Sequence, residues 1–292
     1  SGAIGVAHDL NESTTIKFNL ARGFRAPNLA ELSSYGAHEG TNRFEYGNSA
    51  LRSEKSLQLD AGIEWSNAHL SIAGNLFYNT VTDYIFYQKL SGVNGADSII
   101  NQENEDGSVD ELYAFAFKQS NAHLYGAELN VDIHPHPLDW LHIENSLSFV
   151  HATRFNQPDS SRYLPFIPAP KLVTEFRGNF KNIGTSLKNI YAKIELDNTF
   201  SQNNIFTAYN TETATNGYTL LNIGLGTDVV NKKGKTILNV AISGLNLADM
   251  AYQNHLSRLK YAAENMASGR NGVFNMGKNF SIKVNIPFIG KF

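Results

Sequence analysis

Two histidines stand in long polar stretches between predicted strands, where ligand-binding side chains are commonly found. His38 lies in Gly36-Ala37-His38-Glu39-Gly40, and His255 lies within residues 252–258. Imidazole is a good ligand for zinc, copper, iron and haem iron. The alternative is that His38 only packs or forms a hydrogen bond in a folded loop. The two histidines are therefore candidates for contact with a metal or a metal chelate.

Another histidine pair, His134 and His136, flanks Pro135 in a predicted short turn that follows a strand. Such a turn could bind a metal, but its composition favours an ordinary turn. His69 and His142 are placed near strand ends on the same side of the predicted sheet. We expect amphipathic rings of this kind to suit a membrane interface.

The chain carries no recognisable catalytic motif. It has no GxSxG elbow, no HExxH pair and no phosphate-binding glycine loop. One predicted loop contains four acidic residues, Glu103, Glu105, Asp106 and Asp110. We interpret them as solvated loop residues rather than as a catalytic acid/base pair. The 292 residues include no cysteine, which excludes a disulfide scaffold and a thiolate site, and the net charge of -3 favours no nucleic-acid partner. The sequence thus predicts a binding protein and not an enzyme.

Apolar and polar residues alternate along most of the chain, which is typical of strands with one apolar face. At the C-terminus the apolar positions are Phe280, Ile282, Val284, Ile286, Phe288 and Phe292. Leu57, Leu59 and Ile63 alternate with Gln58, Asp60 and Glu64 in the same way. The apolar sets are predicted to face lipid and the polar sets a lumen.

The parity of these segments predicts about eleven strands. The connections alternate between short ones, near 9–13, 66–69, 134–139, 181–188 and 231–235, and long ones, near 25–54, 88–111, 154–168, 203–216 and 247–277. One parity holds from 111 to 134, which favours a single long strand over a hairpin. Short turns on one side and long loops on the other are typical of a transmembrane β-barrel. A soluble sandwich or propeller is the alternative, but its loops are normally about 4–6 residues long.

Six segments occur in an order that resembles the motifs of TonB-dependent outer-membrane receptors. Residues 24–32 resemble the FRAP segment, and residues 46–56 resemble the GNPxLxxExS box with Ser49 in place of proline. Residues 124–129 resemble the GxE strand, and residues 165–170 resemble the LPxIPP segment that leads into the next strand. Residues 246–252 resemble the NLxDxxY box, and residues 269–271 resemble the PGR motif. Glu54 is a possible partner for Arg25 of the first segment, and we interpret both as architecture of the barrel mouth.

The resemblance implies an all-β, antiparallel transmembrane barrel of about 22 strands behind a plug domain. Residues 1–292 would form the C-terminal half, with the plug outside this chain. It also implies an outer-membrane location in a Gram-negative bacterium, recognition of Phe292 by the barrel-assembly machinery, and energy supplied by the TonB complex through the plug. The implied function is import of a metal or a metal chelate such as a siderophore, haem or zinc. A passive porin or a structural barrel is the alternative.

The resemblance also sharpens the site, because haem receptors of this family often place a histidine where His38 stands. His38, Glu39 and His255 are the predicted metal ligands. Arg43 and Tyr46 complete the predicted ligand-binding set, and Tyr35 and Phe44 supply further stacking surfaces. The loops of His38 and His255 can meet only if both fold inward over the barrel mouth. No intrinsic cofactor is expected beyond the transported ligand.

Overall fold

Strands make up most of the molecule. The computed structural model describes residues 1–38, 43–103 and 107–287. In this part of the chain the strands are β1 Gly2–Asn11, β2 Thr14–Arg25, β3 Tyr35–His38, β4 Arg43–Tyr46, β5 Glu54–Ser66, β6 Leu70–Lys89, β7 Ile99–Glu103, β8 Val109–Ile133, β9 Leu141–Arg154, β10 Lys171–Ile183, β11 Leu187–Thr199, β12 Tyr218–Val230, β13 Thr236–Leu245, β14 Glu264–Asn265, β15 Arg270–Asn271 and β16 Asn279–Asn285.

Helices are confined to the connections. The α-helices are α1 Leu29–Ser33 and α2 Asp159–Arg162, and the 3-10 helices are Ala208–Asn210 and Arg258–Tyr261. In the described ranges no helix has the length and hydrophobicity needed to cross a membrane.

One sheet contains eleven wall strands in the order β1-β2-β5-β6-β8-β9-β10-β11-β12-β13-β16. Each wall strand pairs antiparallel with its neighbour. This confirms the predicted number and direction of strands. Within the described residues the sheet is open, with β1 and β16 at its two edges.

The connections confirm the predicted alternation in length. Short ones join β1 to β2, β5 to β6, β8 to β9, β10 to β11 and β12 to β13. We call this side of the sheet the short-turn end, and the opposite side, which carries the long connections, the long-loop end.

Strand β8 confirms the prediction of one unbroken strand, because it runs for 25 residues. At about 3.3 Å per residue, such a strand is longer than a bilayer core requires. Its first residues and the last residues of β6 pair beyond the end of β9, since β9 joins β8 only at Ala122–Ile133. This paired extension projects at the long-loop end and carries side chains into the loops.

The two faces of the sheet differ as the alternation predicts. The polar face carries cross-strand contacts such as Lys17 with Glu64 and Lys193 with Glu175. It also lines a concavity of about 600 Å³ that includes Glu64, Asn130 and Glu175. The apolar side chains of the opposite face, among them Leu57, Leu59 and Ile63, remain 46–51% exposed. This arrangement suits a lumen on the concave side and lipid on the other.

The buried apolar core sits at the long-loop end and not between two sheets. Leu164 and Phe206, from two long connections, pack with Phe86, Ala122 and Ala152 of the wall strands. A sandwich would have placed such a core between stacked sheets, and the described residues contain one large sheet and one small two-stranded sheet. The predicted terminal signal, Phe292, lies outside the described residues.

Candidate functional site

The connection from β2 to β5 is anchored by an ion-pair cluster around Arg25. Its Nη1 atom donates to both carboxylate oxygens of Glu31, at 2.9 and 2.8 Å, and its Nε atom donates to Oε2 of Glu54 at 2.7 Å. Glu31 also closes a capping box with Asn28 at the start of α1. Arg25 therefore ties both ends of the connection to α1, and its contact with Glu54 is the one predicted from the sequence.

From this anchor the same connection carries β4 across to β8. Strand β4 pairs parallel with β8, placing Arg43 opposite Tyr113 and Phe44 opposite Ala114. It thereby reaches past β5 and β6, which lie between β2 and β8 in the sheet. Arg43 and Phe44 are buried there, at 6% and 8% exposure. The inward fold required by the sequence-based prediction is present in this connection.

The connection from β13 to β16 also folds inward and is held by buried polar residues. Asn246 accepts a hydrogen bond from the backbone of Met250 and donates to the carbonyl oxygens of Met250 and Met276. His255 is 3% exposed, and its Nδ1 atom lies 2.8 Å from Oγ1 of Thr215. Its Nε2 atom lies 3.2 Å from Glu212. His255 therefore links this connection to the one between β11 and β12.

Glu212 is the centre of that link. Its two carboxylate oxygens accept hydrogen bonds from the backbone N–H groups of Phe166, at 2.5 Å, and Phe206, at 2.9 Å. Phe166 has a φ of 63°, a left-handed conformation that is strained for a residue with a side chain. The carboxylate thus supports a strained residue whose ring is approached by two arginines.

Those arginines come from opposite ends of the chain. The guanidinium carbon of Arg258 lies 3.1 Å from the Phe166 ring centroid, and that of Arg43 lies 5.6 Å from it. Both side chains line a cavity of about 140 Å³ at the long-loop end. Within the described residues the other lining residues are Lys89, Tyr113, Phe115, Asn210, Thr211, Leu259, Tyr261 and Ala262. We call this the arginine cavity.

The lining of the arginine cavity is cationic, with carboxylates close behind it: Asp97 pairs with Lys89, and the charges of Glu45 and Glu212 act on Arg43 and Arg258. Arg43, Arg258 and Lys89 contribute cations, and no acidic side chain is among its described lining residues. Burial and the nearby Arg43 lower the pKa of Arg258 to about 10, and burial lowers the pKa of Arg43 as well. The Nη1 atom of Arg258 is buried without a hydrogen-bond partner. A buried donor without a partner destabilises the free protein, so an anion placed here would be stabilised.

Aromatic rings complete the cavity. Arg43 lies 4.4 Å from the centroid of Phe115, and Lys89 lies 4.1 Å from that of Tyr113. Lys89 is also paired with Asp97 at 2.6 Å. The cavity therefore offers cationic hydrogen-bond donors beside flat apolar surfaces, which is the chemistry that binds an anionic aromatic group.

The residues predicted from sequence are only partly brought together. Arg43 lines the arginine cavity, and Tyr46 packs against Tyr35 and Phe44 with ring centroids 5.6 and 5.0 Å away. His38 is exposed at the end of β3, opposite Arg43 in the hairpin register. His255 is buried against Glu212, and Glu39 lies outside the described residues. The metal role of His38, Glu39 and His255 stays a prediction.

Sequence reasoning missed Arg258, Lys89, Tyr113, Phe115 and Tyr261. No spacing connects them, because they come from β6, β8 and the connection after β13. The one sequence feature that points to Arg258 is its position three residues after His255, in a loop that the sequence predicts to bind ligand.

Comparison with solved structures places this geometry in a known fold. The copper transporter OprC superposes on 97% of this chain with a TM-score of 0.71 and 18% identity, and the chain covers 39% of that protein. The ferric-catecholate import receptor Fiu of E. coli superposes on 98% of the chain with a TM-score of 0.57 and 17% identity, and 34% of it is covered. At these identities the likeness establishes the fold.

Sequence comparison agrees with the fold. The ferric enterobactin receptor of Pseudomonas aeruginosa is 32% identical over a segment that covers 27% of this chain and 12% of that protein. The chain thus spans well under half the length of the proteins it matches. The family model described as TonB dependent receptor-like, beta-barrel matches residues 1–247. The match, the eleven-stranded wall and the inward-folded loops show that this chain belongs to the TonB-dependent receptor β-barrel family.

Proposed function

We propose that this chain is part of an outer-membrane receptor that imports an anionic metal chelate, and that the arginine cavity binds an anionic aromatic arm of that chelate. The observation that carries the proposal is the Nη1 atom of Arg258, which is buried beside Arg43 without a hydrogen-bond partner. The family to which the chain belongs is one of outer-membrane receptors and transporters rather than enzymes. Energy would come from the TonB complex, as in other members of the family.

The charge of the cavity favours an anion over a bare metal ion. Asp97 balances the charge of Lys89, but the guanidinium groups of Arg43 and Arg258 would repel a divalent ion that arrived without ligands. A catecholate or carboxylate arm carries oxygen acceptors that a guanidinium can bind bidentately. The relatives with catecholate and enterobactin in their names support a ligand of this class.

The size of the cavity limits what enters it. Its volume of about 140 Å³ is well below that of sites enclosing a whole drug-sized ligand, about 300–1,000 Å³. One ring of a multi-armed chelate would fit, with the remainder lying over the exposed ring of Tyr35 and the partly exposed ring of Tyr46 beside it, or against other parts of the receptor. Haem remains a candidate through its carboxylates, with His38 as a contact residue.

A test compares ligands of different charge on the full-length receptor in detergent. Ferric enterobactin, a neutral ferric hydroxamate, haem and Zn²⁺ are titrated into the wild type, an Arg43→Met/Arg258→Met variant and an Arg52→Met control. Arg52 is a matched cation at the same end that pairs with Asp83 and is 76% exposed. A charge-assisted hydrogen bond contributes about 1.5–3 kcal/mol, so binding should weaken about tenfold to a hundredfold.

We expect the double variant to lose affinity for the catecholate or for haem and to keep its affinity for any neutral ligand. The control should bind every ligand as the wild type does. Equal affinity of the wild type and the double variant for every anionic ligand would overturn the role of the cavity. Uptake that persists in cells without TonB would instead support the passive barrel.

A further inference from the structure

A second group of ligand-type side chains lies at the short-turn end of the sheet. Asp132 is the last residue but one of β8, His134 follows in the turn, and His142 is the second residue of β9. Oδ2 of Asp132 lies 2.5 Å from Nε2 of His134 and 3.2 Å from Nδ1 of His142. One ligand atom from each of the three residues lies within 4.8 Å of the other two. Among the described residues this is the group of three His, Asp or Glu side chains with metal-binding spacing.

The backbone brings these side chains together. Asp132 lies opposite Glu144 in the β8–β9 ladder, so His142, two residues before Glu144, is on the same face as Asp132. The backbone N–H of His134 donates to the carbonyl oxygen of His69 at 2.7 Å, which holds the beginning of the turn against the neighbouring turn. Ladder and turn therefore determine the separation of the three ligands.

The hydrogen bonds within this cluster do not satisfy all of its polar atoms. Both imidazole rings are directed at the same carboxylate oxygen of Asp132, while its Oδ1 atom is buried without a hydrogen-bond partner. Glu144 adds a second negative charge across the ladder. The cation opposite His142, Arg177, is engaged elsewhere: its Nε atom donates to Asn179, and its guanidinium stacks on Tyr191. The site keeps a local negative charge that a cation would offset.

We propose that Asp132, His134 and His142 bind a divalent transition-metal ion, with water completing the coordination. Two imidazoles and one carboxylate suit zinc, copper, nickel or ferrous iron, whereas calcium and magnesium prefer oxygen ligands. Tetrahedral zinc with ligands at about 2.0–2.2 Å separates them by about 3.3 Å. The His142–Asp132 distance of 3.2 Å already fits, whereas the His134–Asp132 distance of 2.5 Å must lengthen by about 0.8 Å when the ion enters; the His134 side chain is 30% exposed.

This site is independent of the arginine cavity and of the function proposed for it. Tyr113, which lines the cavity, and Asp132 stand near opposite ends of β8. At about 3.3 Å per residue the strand separates them by roughly 60 Å. The ion would sit on the polar face, beside the concavity lined by Asp132, Glu144 and Glu175.

The test uses the full-length receptor in chelator-treated detergent solution, with Zn²⁺ and Co²⁺ as probes. Stoichiometry and affinity are measured by calorimetry, and the visible spectrum of bound Co²⁺ reports its coordination. The variants are His134→Ala/His142→Ala and Asp132→Asn, the second of which keeps the side-chain shape. The control is His136→Ala in the same turn, whose ring is 68% exposed and lies 3.5 Å from Asp139.

We expect the wild type to bind one more equivalent of Zn²⁺ than the double variant, and Asp132→Asn to weaken that equivalent at least about tenfold. The control should match the wild type. Added Zn²⁺ should raise the thermal midpoint of the wild type and of the control, but not of the double variant. Equal stoichiometry in the wild type and the double variant, or equal loss in the control, would overturn the site. Chelate binding at the arginine cavity, measured in the same variants, should not change.

Discussion

Arg43 and Arg258 lie on the same aromatic ring, with their guanidinium carbons 5.6 and 3.1 Å from the centroid of Phe166. One residue belongs to the connection after β2 and the other to the connection after β13, so the two meet only because both loops fold inward. The positive charge of Arg43 contributes to lowering the pKa of Arg258, so the two cations repel each other in the free protein. The relationship is understandable if the protein is built to receive an anion between them.

The first prediction concerns the stability of the free receptor. Replacing Arg258 by Met should raise the thermal midpoint of the ligand-free protein, because Met has a similar volume and leaves no buried, unpartnered donor. The gain in unfolding free energy should be of the order of 1 kcal/mol, because a buried donor without a partner costs about 1–3 kcal/mol and the contact of Arg258 with the Phe166 ring, which is lost, offsets part of the gain. Thermal unfolding with and without chelate measures this.

Arg52→Met serves as the reference for this measurement, because an exposed substitution stays within about 0.5 kcal/mol. A lower midpoint for Arg258→Met than for Arg52→Met would show that Arg258 is a structural cation rather than a binding one. In the presence of chelate the order should reverse, with the wild type gaining most.

The second prediction separates the two roles considered for His255. Its ring is buried between Thr215 and Glu212, so His255→Ala should destabilise the loops by about 1–3 kcal/mol and weaken every ligand to a similar degree. Limited proteolysis of the connections on the full receptor measures the loosening. A selective loss of zinc or haem, with unchanged proteolysis, would instead establish His255 as a ligand. His38→Ala is the matched comparison, since His38 is exposed.

The third prediction concerns the anchor around Arg25. The carboxyl groups of Glu31 and Glu54 are only 11% and 12% exposed, so Arg25→Met leaves two shielded charges close together. We expect a loss of about 1–3 kcal/mol, discounted because the arginine itself is 45% exposed. A second change, Glu31→Gln or Glu54→Gln, should restore part of it. If the effects of the single substitutions on unfolding free energy add up in a double-mutant cycle, Arg25 and the glutamates contribute no interaction energy.

The fourth prediction tests which face of the sheet meets lipid. Leu59 is 51% exposed on the apolar face in the middle of β5, and Leu59→Arg should cost about 2–4 kcal/mol of stability in the bilayer. Gln58→Arg, one residue away on the polar face, should cost less than about 1 kcal/mol. Folding into lipid vesicles, followed by gel mobility before and after heating, measures both. Equal penalties would contradict the assignment of the faces.

Much of the fold could be read from the sequence because each wall strand carries its own signal. Side chains alternate across a strand with a period of two, so the apolar run at Leu57, Leu59 and Ile63 identifies a strand and its apolar face without reference to any partner. The same local rule identified β8 as one long strand. Loop lengths then indicated which end of the sheet each connection occupies.

The site could be read only in part, because it depends on contacts between distant segments. The sequence predicted Arg43 and Tyr46 as ligand-binding residues, which stays a prediction, and required the two longest loops to meet. It did not indicate that Arg258 lies near Arg43, since no local period or spacing links β4 with the connection after β13. Likewise, the turn at His134 and His136 was expected to be ordinary, while the β8–β9 ladder brings His142 to Asp132.

Alternation, loop length and motif order are local properties, and the sequence by itself determined the strands, their faces and the family. Only the tertiary structure decided which loop residues share a cavity and that His255 lies against Glu212. The physical reason is that a strand's pattern reflects its two environments, lipid and water, one residue at a time. A binding cavity reflects instead how buried charges such as Arg43 and Arg258 are placed by loops that pack against one another.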